Sequence, residues 1–264
     1  MTVPANRSLL GLGRLLATCW IVAAPAGASA APRPDPAGVF RYQLTAMGTL
    51  GGEAVLTVDG SSALGDGTAR RVRLEARTAG VAGRVYKAKG DGTTVMDRGF
   101  NPLRMKWSSE TRGYPRDATL VFHAKGVQGT YRGNQEYVSR VDVTTETWPL
   151  DAISAYLWLP QQPLASGATY QRPFFDGRRI GTLEATVGLP RSIQVPVGLR
   201  DVVPMHITAG RPGKEKTIVF WVGVLDRVLY RIEVSHGILG TVRADLIGLK
   251  RPEIPLGGGQ EARE

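Results

Sequence analysis

Strict alternation of apolar and polar residues is the feature that most constrains how this chain folds. In the segment RRVRLEART, Val72, Leu74 and Ala76 point to one side of an extended strand, while charged residues point to the other. The same period of two recurs in LEATV (183–187), LYRIEVS (229–235) and VRADL (242–246). Because side chains alternate between the two faces of a sheet, each segment predicts a strand with one buried face.

Short turn segments separate the strands. They are GDG at 65–67 and again at 90–92, NP at 101–102, and DG at 176–177. Parallel neighbours need long crossovers, so these short connections predict antiparallel pairs. The fold class is therefore all-β: one large antiparallel meander of about ten or more strands, curled into a barrel or half-barrel or folded into a two-sheet sandwich.

An outer-membrane barrel shows the same alternation along its strands. Two features argue against that architecture here. The chain ends on the polar, glycine-rich segment PLGGGQEARE, and prolines interrupt the alternating pattern at Pro115, Pro173, Pro196 and Pro204.

The segment from Asp151 to Arg172, DAISAYLWLPQQPLASGATYQR, has no charged residue between its two ends. It predicts one short helix near 151–159, with Asp151 as the N-cap and Pro160 ending it. Such a helix is about 12 Å long, which is too short to cross a membrane. It is apolar nearly all round, so it must be buried on most sides.

Two interpretations of this helix remain open. It either closes one end of the curled sheet as a plug, with its aromatic side chains in the core, or it contributes to a binding site. In the second case Tyr156, Trp158 and Leu159 are the predicted ligand-binding residues, and they contact a bound apolar ligand or partner.

Residues 1–30 have the pattern of a secretory signal peptide, with a basic start, an apolar stretch and small residues before a cut after Ala30. Alternatives are a membrane anchor and a lipoprotein acylated on Cys19, which is the only cysteine. Cleavage after Ala30 leaves a chain without disulfides or thiol chemistry. The predicted organisation is a signal peptide (1–30), an extended lead (31–38), a single β domain (39–250) and a flexible tail (251–264).

The chain is basic, and loss of Arg7 and Arg14 with the signal peptide lowers its net charge only from +10 to +8. The basic residues are scattered, with short pairs at Arg70–Arg71 and Arg178–Arg179 and no run typical of a nucleic-acid arm. The charge therefore favours an anionic envelope component over nucleic acid as partner. The competing interpretation is a scattered, solvated surface.

Residue patterns typical of catalysis are missing from the sequence. His123, His206 and His236 have no metal-binding spacing, and neither a G-x-S-x-G elbow nor a phosphate-binding glycine loop occurs. No catalytic residue, cofactor or metal is predicted. Paired carboxylates leave no short motif, so a glycan hydrolase remains an alternative, with Asp97, Glu110, Asp142, Glu146 and Asp176 as the available acids.

Several segments in a fixed order resemble one family of bacterial exported proteins, the domain of unknown function 3108. They include GGEAVLTV, DRGFNPLRM, PLDAISAYLWL, PFFDGRR, IQVPVGLRDVVPMHI, TIVFWVGVLDRVLYRIEV and GILGTVRADL, and they cover about 39–249. The resemblance implies an all-β envelope protein, but it implies no reaction and no functional residues.

The predicted function is that of an exported, periplasmic protein that is not an enzyme and binds an apolar or anionic envelope component such as a lipid. It would be peripheral at most to the membrane, with lipid anchoring through Cys19 as the minor alternative. A structural or assembly partner in the envelope is the second hypothesis. The oligomeric state stays open.

Overall fold

The computed structural model describes residues 35–46, 48–60, 62–64, 67–80, 87–133, 138–236 and 240–251. All of these residues lie within one unit, Pro34–Glu264. The predicted signal peptide with Cys19, and the predicted tail from residue 252 onward, lie outside the described residues.

One antiparallel sheet of sixteen strands dominates the structure. Its strands, in chain order, are β1 (Gly38–Ala46), β2 (Thr49–Val58), β3 (Ser62–Leu64), β4 (Gly67–Thr78), β5 (Ala88–Asp97), β6 (Pro102–Thr111), β7 (Tyr114–His123), β8 (Gly126–Arg132), β9 (Val138–Thr144), β10 (Thr169–Phe175), β11 (Ile180–Val187), β12 (Arg191–Val195), β13 (Gly198–Gly210), β14 (Lys216–Gly223), β15 (Leu229–His236) and β16 (Gly240–Lys250).

The strand order is β10-β11-β13-β14-β15-β16-β1-β2-β4-β5-β6-β7-β8-β9, with β12 paired to β13 and β3 paired to β4. This is the predicted antiparallel meander, with one long-range junction where β1 pairs with β16. The alternation on β4 is confirmed, since Val72 is fully buried while Arg71 and Arg73 are exposed.

One predicted turn is wrong. Gly90-Asp91-Gly92 lies inside β5, paired on both sides in the sheet, with Gly92 opposite Leu74 and Trp107. The glycines are there because the Trp107 ring lies against them. A Cβ on Gly92 would come within 2.2 Å of Trp107 Cε3.

The sheet curls until its two ends overlap. Phe122 lies on the inner face of β7. Phe175 lies on the outer face of β10, because the inward-facing Leu183 of β11 pairs with Arg172, three residues earlier on β10. The two rings nevertheless pack edge to face with centroids 5.8 Å apart. Within the described residues the sheet is therefore an open spiral, in which the β7–β9 end covers the outside of β10 and β11.

The predicted helix is present inside this spiral. Helix α1 (Ala152–Trp158) is followed by a 3-10 turn (Leu159–Gln161) that contains Pro160. Asp151 is the N-cap as predicted, and it forms a capping box with Ser154. The helix lies between two apolar clusters: Ile153 and Leu157 pack toward β1, β2, β4 and β5, while Ala155 and Leu159 pack toward β11, β13 and β14.

Candidate functional site

A basic cleft opens where the two ends of the sheet overlap, on the side opposite to α1. Its volume is about 800 Å³. The inner face of β7–β9 forms one wall, and the β10–β11 and β13–β14 turns form the other. The residues of this basic cleft are Arg116, Tyr131, Gly133, Ser139, Asp176, Gly177, Arg178, Arg179, Arg211 and Lys214.

Asp176 organises the second wall. Its Oδ1 accepts hydrogen bonds from the backbone amides of Arg178 and Arg179, both at 3.0 Å, which tightens the turn. Its Oδ2 accepts from Arg211 Nε at 3.2 Å, which ties the β10–β11 turn to the β13–β14 turn. Burial alone would raise the pKa of the Asp176 carboxyl, but these hydrogen bonds together hold that pKa below its ordinary value.

Arg178 joins the two walls. Its guanidinium carbon lies 4.5 Å from the centre of the Tyr131 ring on β8, a cation–π contact. Arg178 thereby connects the β10–β11 turn, at one end of the spiral, to the inner face of β8 at the other end.

The cleft is strongly unbalanced in charge. Among the described residues that line it, five carry a cationic side chain and one, Asp176, is acidic. In a concave surface such an excess raises the local concentration of anions, and guanidinium groups match phosphate and carboxylate oxygens with paired hydrogen bonds. The geometry is therefore suited to an anion.

A second groove, on the outer face of β1, β2, β4, β5 and β6, is of similar size, about 720 Å³. Its charges are paired along the strands. Arg77 contacts Glu53 at 3.2 Å, and Lys89 contacts Glu110 at 3.0 Å. Because its basic and acidic residues neutralise each other, this groove does not favour a ligand of either sign.

The three residues predicted to bind a ligand lie on or next to α1. Leu159 is fully buried in the apolar cluster of β11, β13 and β14. Tyr156 is partly buried, and its hydroxyl contacts the hydroxyl of Tyr42, which in turn donates to the Leu229 carbonyl at 2.9 Å. Burial raises the pKa of Tyr156 and of Tyr42 above the ordinary tyrosine value, so both hydroxyls stay neutral.

Trp158 is partly buried, and two residues of β10 cover its ring. Tyr170 packs edge to face with centroids 6.3 Å apart, and the guanidinium carbon of Arg172 lies 5.3 Å from the ring centre. The crevice beside Tyr156 and Leu157 has a volume of only about 20 Å³, which is room for one water molecule. The ligand-binding role of Tyr156, Trp158 and Leu159 stays a prediction.

The residues considered for catalysis are distributed over the structure. Among the available acids, Asp97 accepts from the Asn101 amide and side chain, both at 2.8 Å, and Glu110 and Asp176 are ion-paired as described above. Glu146 is exposed after β9. In the described part of the chain no group of three or more His, Cys, Asp or Glu residues is arranged to hold a metal ion.

In the sequence, Arg178–Arg179 is noticeable only as one of two short basic pairs. The cleft has no local sequence signature, because its other cationic residues come from two distant places: Arg116 from β7, and Arg211 and Lys214 from the β13–β14 turn. One signal was visible: the pair follows directly on a DG turn, where side chains project from the end of a hairpin.

Over the described residues, none of the helical structure is long and apolar enough to cross a membrane. Among solved structures, the chain is similar to a β-barrel-like protein of the domain of unknown function 1849 from Brucella abortus, with a TM-score of 0.58 and 14% identity, covering 82% of this chain and 98% of that one. At this identity the likeness concerns the fold alone.

Two other solved structures align over similar lengths with low scores. One, from Bacteroides fragilis, is described as an exported protein with a YmcC-like fold; its TM-score is 0.35 at 10% identity, over 83% of this chain and 98% of that one. The other, from Parabacteroides distasonis, is described as a lipoprotein; its TM-score is 0.31 at 12% identity, over 83% and 97%. Among curated proteins, none matches the chain.

The family resemblance noted in the sequence is confirmed. The model of the protein family of unknown function DUF3108 matches residues 41–247, which run from β1 to β16 and include α1 and most of the basic cleft's framework. The chain therefore belongs to the DUF3108 family.

Proposed function

We propose that this protein is exported and acts in the cell envelope by binding an anionic envelope component in the basic cleft, without catalysing a reaction. The observation that supports this is the charge of the cleft, whose described lining has five cationic side chains and one carboxylate. Export is supported by the signal-peptide pattern of residues 1–30.

The arrangement of the cleft favours binding over chemistry. The Asp176 carboxylate accepts three hydrogen bonds and holds two turns together, so it is not poised to accept a proton from a substrate. The cationic groups belong to three separate segments, and an anion bound among them would draw the two ends of the spiral together.

The binding test uses inorganic pyrophosphate as the probe, titrated by calorimetry at low salt. Loss of two charge-assisted contacts in the double variant Arg178→Ala/Arg179→Ala should weaken binding by about tenfold or more. The matched control is Arg104→Ala/Lys106→Ala, which removes the same charge from exposed positions on β6. It should change affinity by less than about threefold, the effect of net charge alone.

Two results would overturn the proposal: no pyrophosphate binding to the wild type at millimolar concentration, or equal weakening in the two double variants. Export is tested separately by the intact mass of the protein from its own cell envelope. A mass that corresponds to a chain beginning at Ala31 supports export with cleavage, and a mass that includes the original N-terminus contradicts it. A mass consistent with an acylated Cys19 would instead place the protein on a membrane.

A further inference from the structure

Helix α1 covers only part of the inner face of the spiral. Toward the end that carries the basic cleft, inward apolar side chains are only partly buried; they include Leu44, Leu74, Ile218, Ile232, Val234 and Val242. We name these six residues the open inner face. Leu44, Val234 and Val242 belong to none of the three apolar clusters that the described residues form.

These side chains form a continuous surface across neighbouring strands. Val242 of β16 pairs with Val234 of β15, which pairs with Ile218 of β14. One step further along the strands, Ile232 and Leu44 both pair with Ala244. Adjacent strands are about 4.8 Å apart, so the surface is wide enough to hold an extended hydrocarbon chain.

The sheet register connects the open inner face to the basic cleft. Leu74 pairs with Gly92, Gly92 with Trp107, Trp107 with Ala118, and Ala118 with Tyr131. Tyr131 is the residue on which Arg178 stacks. The partly buried Trp107 thus lies two strands, or about 10 Å, from Tyr131, on the same face of the sheet.

A second row of paired residues, next to the first and on the same face of the sheet, ends at the cationic residue Arg116. Ala76 pairs with Gly90, Gly90 with Ser109, and Ser109 with Arg116 of the basic cleft. The residues between the apolar surface and the cationic group are therefore small. No acidic side chain of this row separates the two regions, and the Trp107 ring, which lies over Gly90, presents an apolar surface between them.

We propose that the ligand is an amphiphile with a single acyl or alkyl chain and an anionic headgroup. The headgroup occupies the basic cleft, and the chain lies along the open inner face. This inference rests on the proposed function, because the cleft supplies the headgroup site. A ligand that is only a polyanion leaves the apolar surface unused, and a purely apolar ligand leaves the cationic cluster unused.

The first experiment compares two phosphate monoesters that share a headgroup, methyl phosphate and dodecyl phosphate, below the micelle concentration of the latter. Dodecyl phosphate should bind at least about tenfold more tightly, with affinity rising by up to about fourfold for each methylene added across a chain-length series. Equal affinities for the two esters overturn the inference while leaving anion binding in place. Failure of both esters to bind overturns the proposed function as well.

The second experiment locates the chain. Dodecyl phosphate brominated along its chain should quench tryptophan fluorescence by contact, and Trp107→Phe should remove most of that quenching. Quenching that survives in Trp107→Phe places the chain elsewhere and overturns the inference.

A pair of variants on one strand completes the test. Val242→Gln on the open inner face should weaken dodecyl phosphate binding by about fivefold or more without affecting methyl phosphate. The control is Ile247→Gln, since Ile247 is an exposed residue of β16. This variant should bind dodecyl phosphate as tightly as the wild type. Equal effects of the two variants on dodecyl phosphate contradict the placement of the chain.

Discussion

Arg172 stacks on Trp158, with its guanidinium carbon 5.3 Å from the centre of the indole ring. The same guanidinium donates to Asn101 Oδ1 at 2.9 Å and to the Trp148 carbonyl at 2.5 Å. One side chain thus joins α1, β10, the β5–β6 turn and the segment before the helix. This contact explains why the uncharged segment ends at Arg172. The cation there is held against Trp158 of α1, the helix at the start of the same segment.

Trp158 is predicted to stabilise the fold. Trp158→Ala removes the contacts with Tyr170 and Arg172, and because the ring is partly buried it should lower the unfolding free energy by about 2–4 kcal/mol. Trp158→Phe keeps an aromatic ring against Tyr170 and should cost about half as much. Urea unfolding of the two variants gives these values. A small loss in Trp158→Ala, combined with weaker ligand binding, would instead support the predicted ligand-binding role.

Arg172→Lys tests whether the shape of the guanidinium matters beyond its charge. Lysine cannot stack flat on the indole and reach both oxygens, so the variant should lose about 1–2 kcal/mol in urea unfolding. Arg191 offers a matched comparison, since it lies 4.7 Å from the Trp221 ring centre but is exposed. Arg191→Lys should cost less than about 0.5 kcal/mol. Equal costs at the two sites would show that stacking alone, without the two hydrogen bonds, accounts for the effect.

The parts of the fold that the sequence predicts are those with a local cause. Alternation on β4 and β11, the capping residue Asp151 and the helix it begins are each specified within a few residues. The overlap of the two sheet ends depends on residues far apart in the chain, but one local feature of the sequence reflects it. Phe174 and Phe175 are adjacent, so they must lie on opposite faces, and both are apolar because β10 is covered on both sides.

The basic cleft could not be predicted in the same way. Arg116 begins β7, Arg178 and Arg179 lie in the β10–β11 turn, and Arg211 precedes Lys214 in the β13–β14 turn. Their proximity follows from the curl of the whole sheet, and no spacing in the sequence encodes it. The turn predicted at GDG (90–92) is wrong for a related reason. Its glycines make space for the Trp107 ring on the neighbouring strand, and in the sequence such glycines look the same as the glycines of a turn.

Gly92→Ala tests that explanation. The added methyl group would lie 2.2 Å from Trp107 Cε3, so the ring must move, and we expect a loss of about 1–3 kcal/mol with a shift in tryptophan emission. Gly60→Ala is the control because nothing lies within 4 Å of its added Cβ, and it should be neutral or slightly stabilising. If Gly92→Ala leaves both stability and emission unchanged, space for Trp107 is not the reason for this glycine.

Asp151 gives a prediction about pH. Its carboxylate accepts hydrogen bonds from the Ser154 amide at 2.6 Å and from Thr94 Oγ1 at 2.9 Å, and the residue is only 1% exposed. Burial raises its pKa above the ordinary value of 3.8, and the hydrogen bonds offset this only in part. The folded state therefore favours the protonated carboxyl more than the unfolded state does.

The sign of the pH dependence follows from linkage. A pKa raised on folding contributes stability that is fully present below 3.8 and is lost as the pH rises through the folded-state pKa. Asp151→Asn keeps a capping oxygen but does not ionise. The unfolding free energy of the wild type, relative to Asp151→Asn, should therefore fall as the pH rises above the ordinary value of 3.8 and level off once the pH exceeds the folded-state pKa, while other titrations cancel in the difference.

Urea unfolding of both proteins at several pH values measures this difference directly. Asp151→Ala separates the cap from the charge, since it loses both hydrogen bonds and should be about 1 kcal/mol or more less stable than Asp151→Asn at every pH. If the wild type instead gains stability over Asp151→Asn as the pH rises, the two hydrogen bonds outweigh burial. The carboxylate would then be the form that the folded protein prefers at the start of α1.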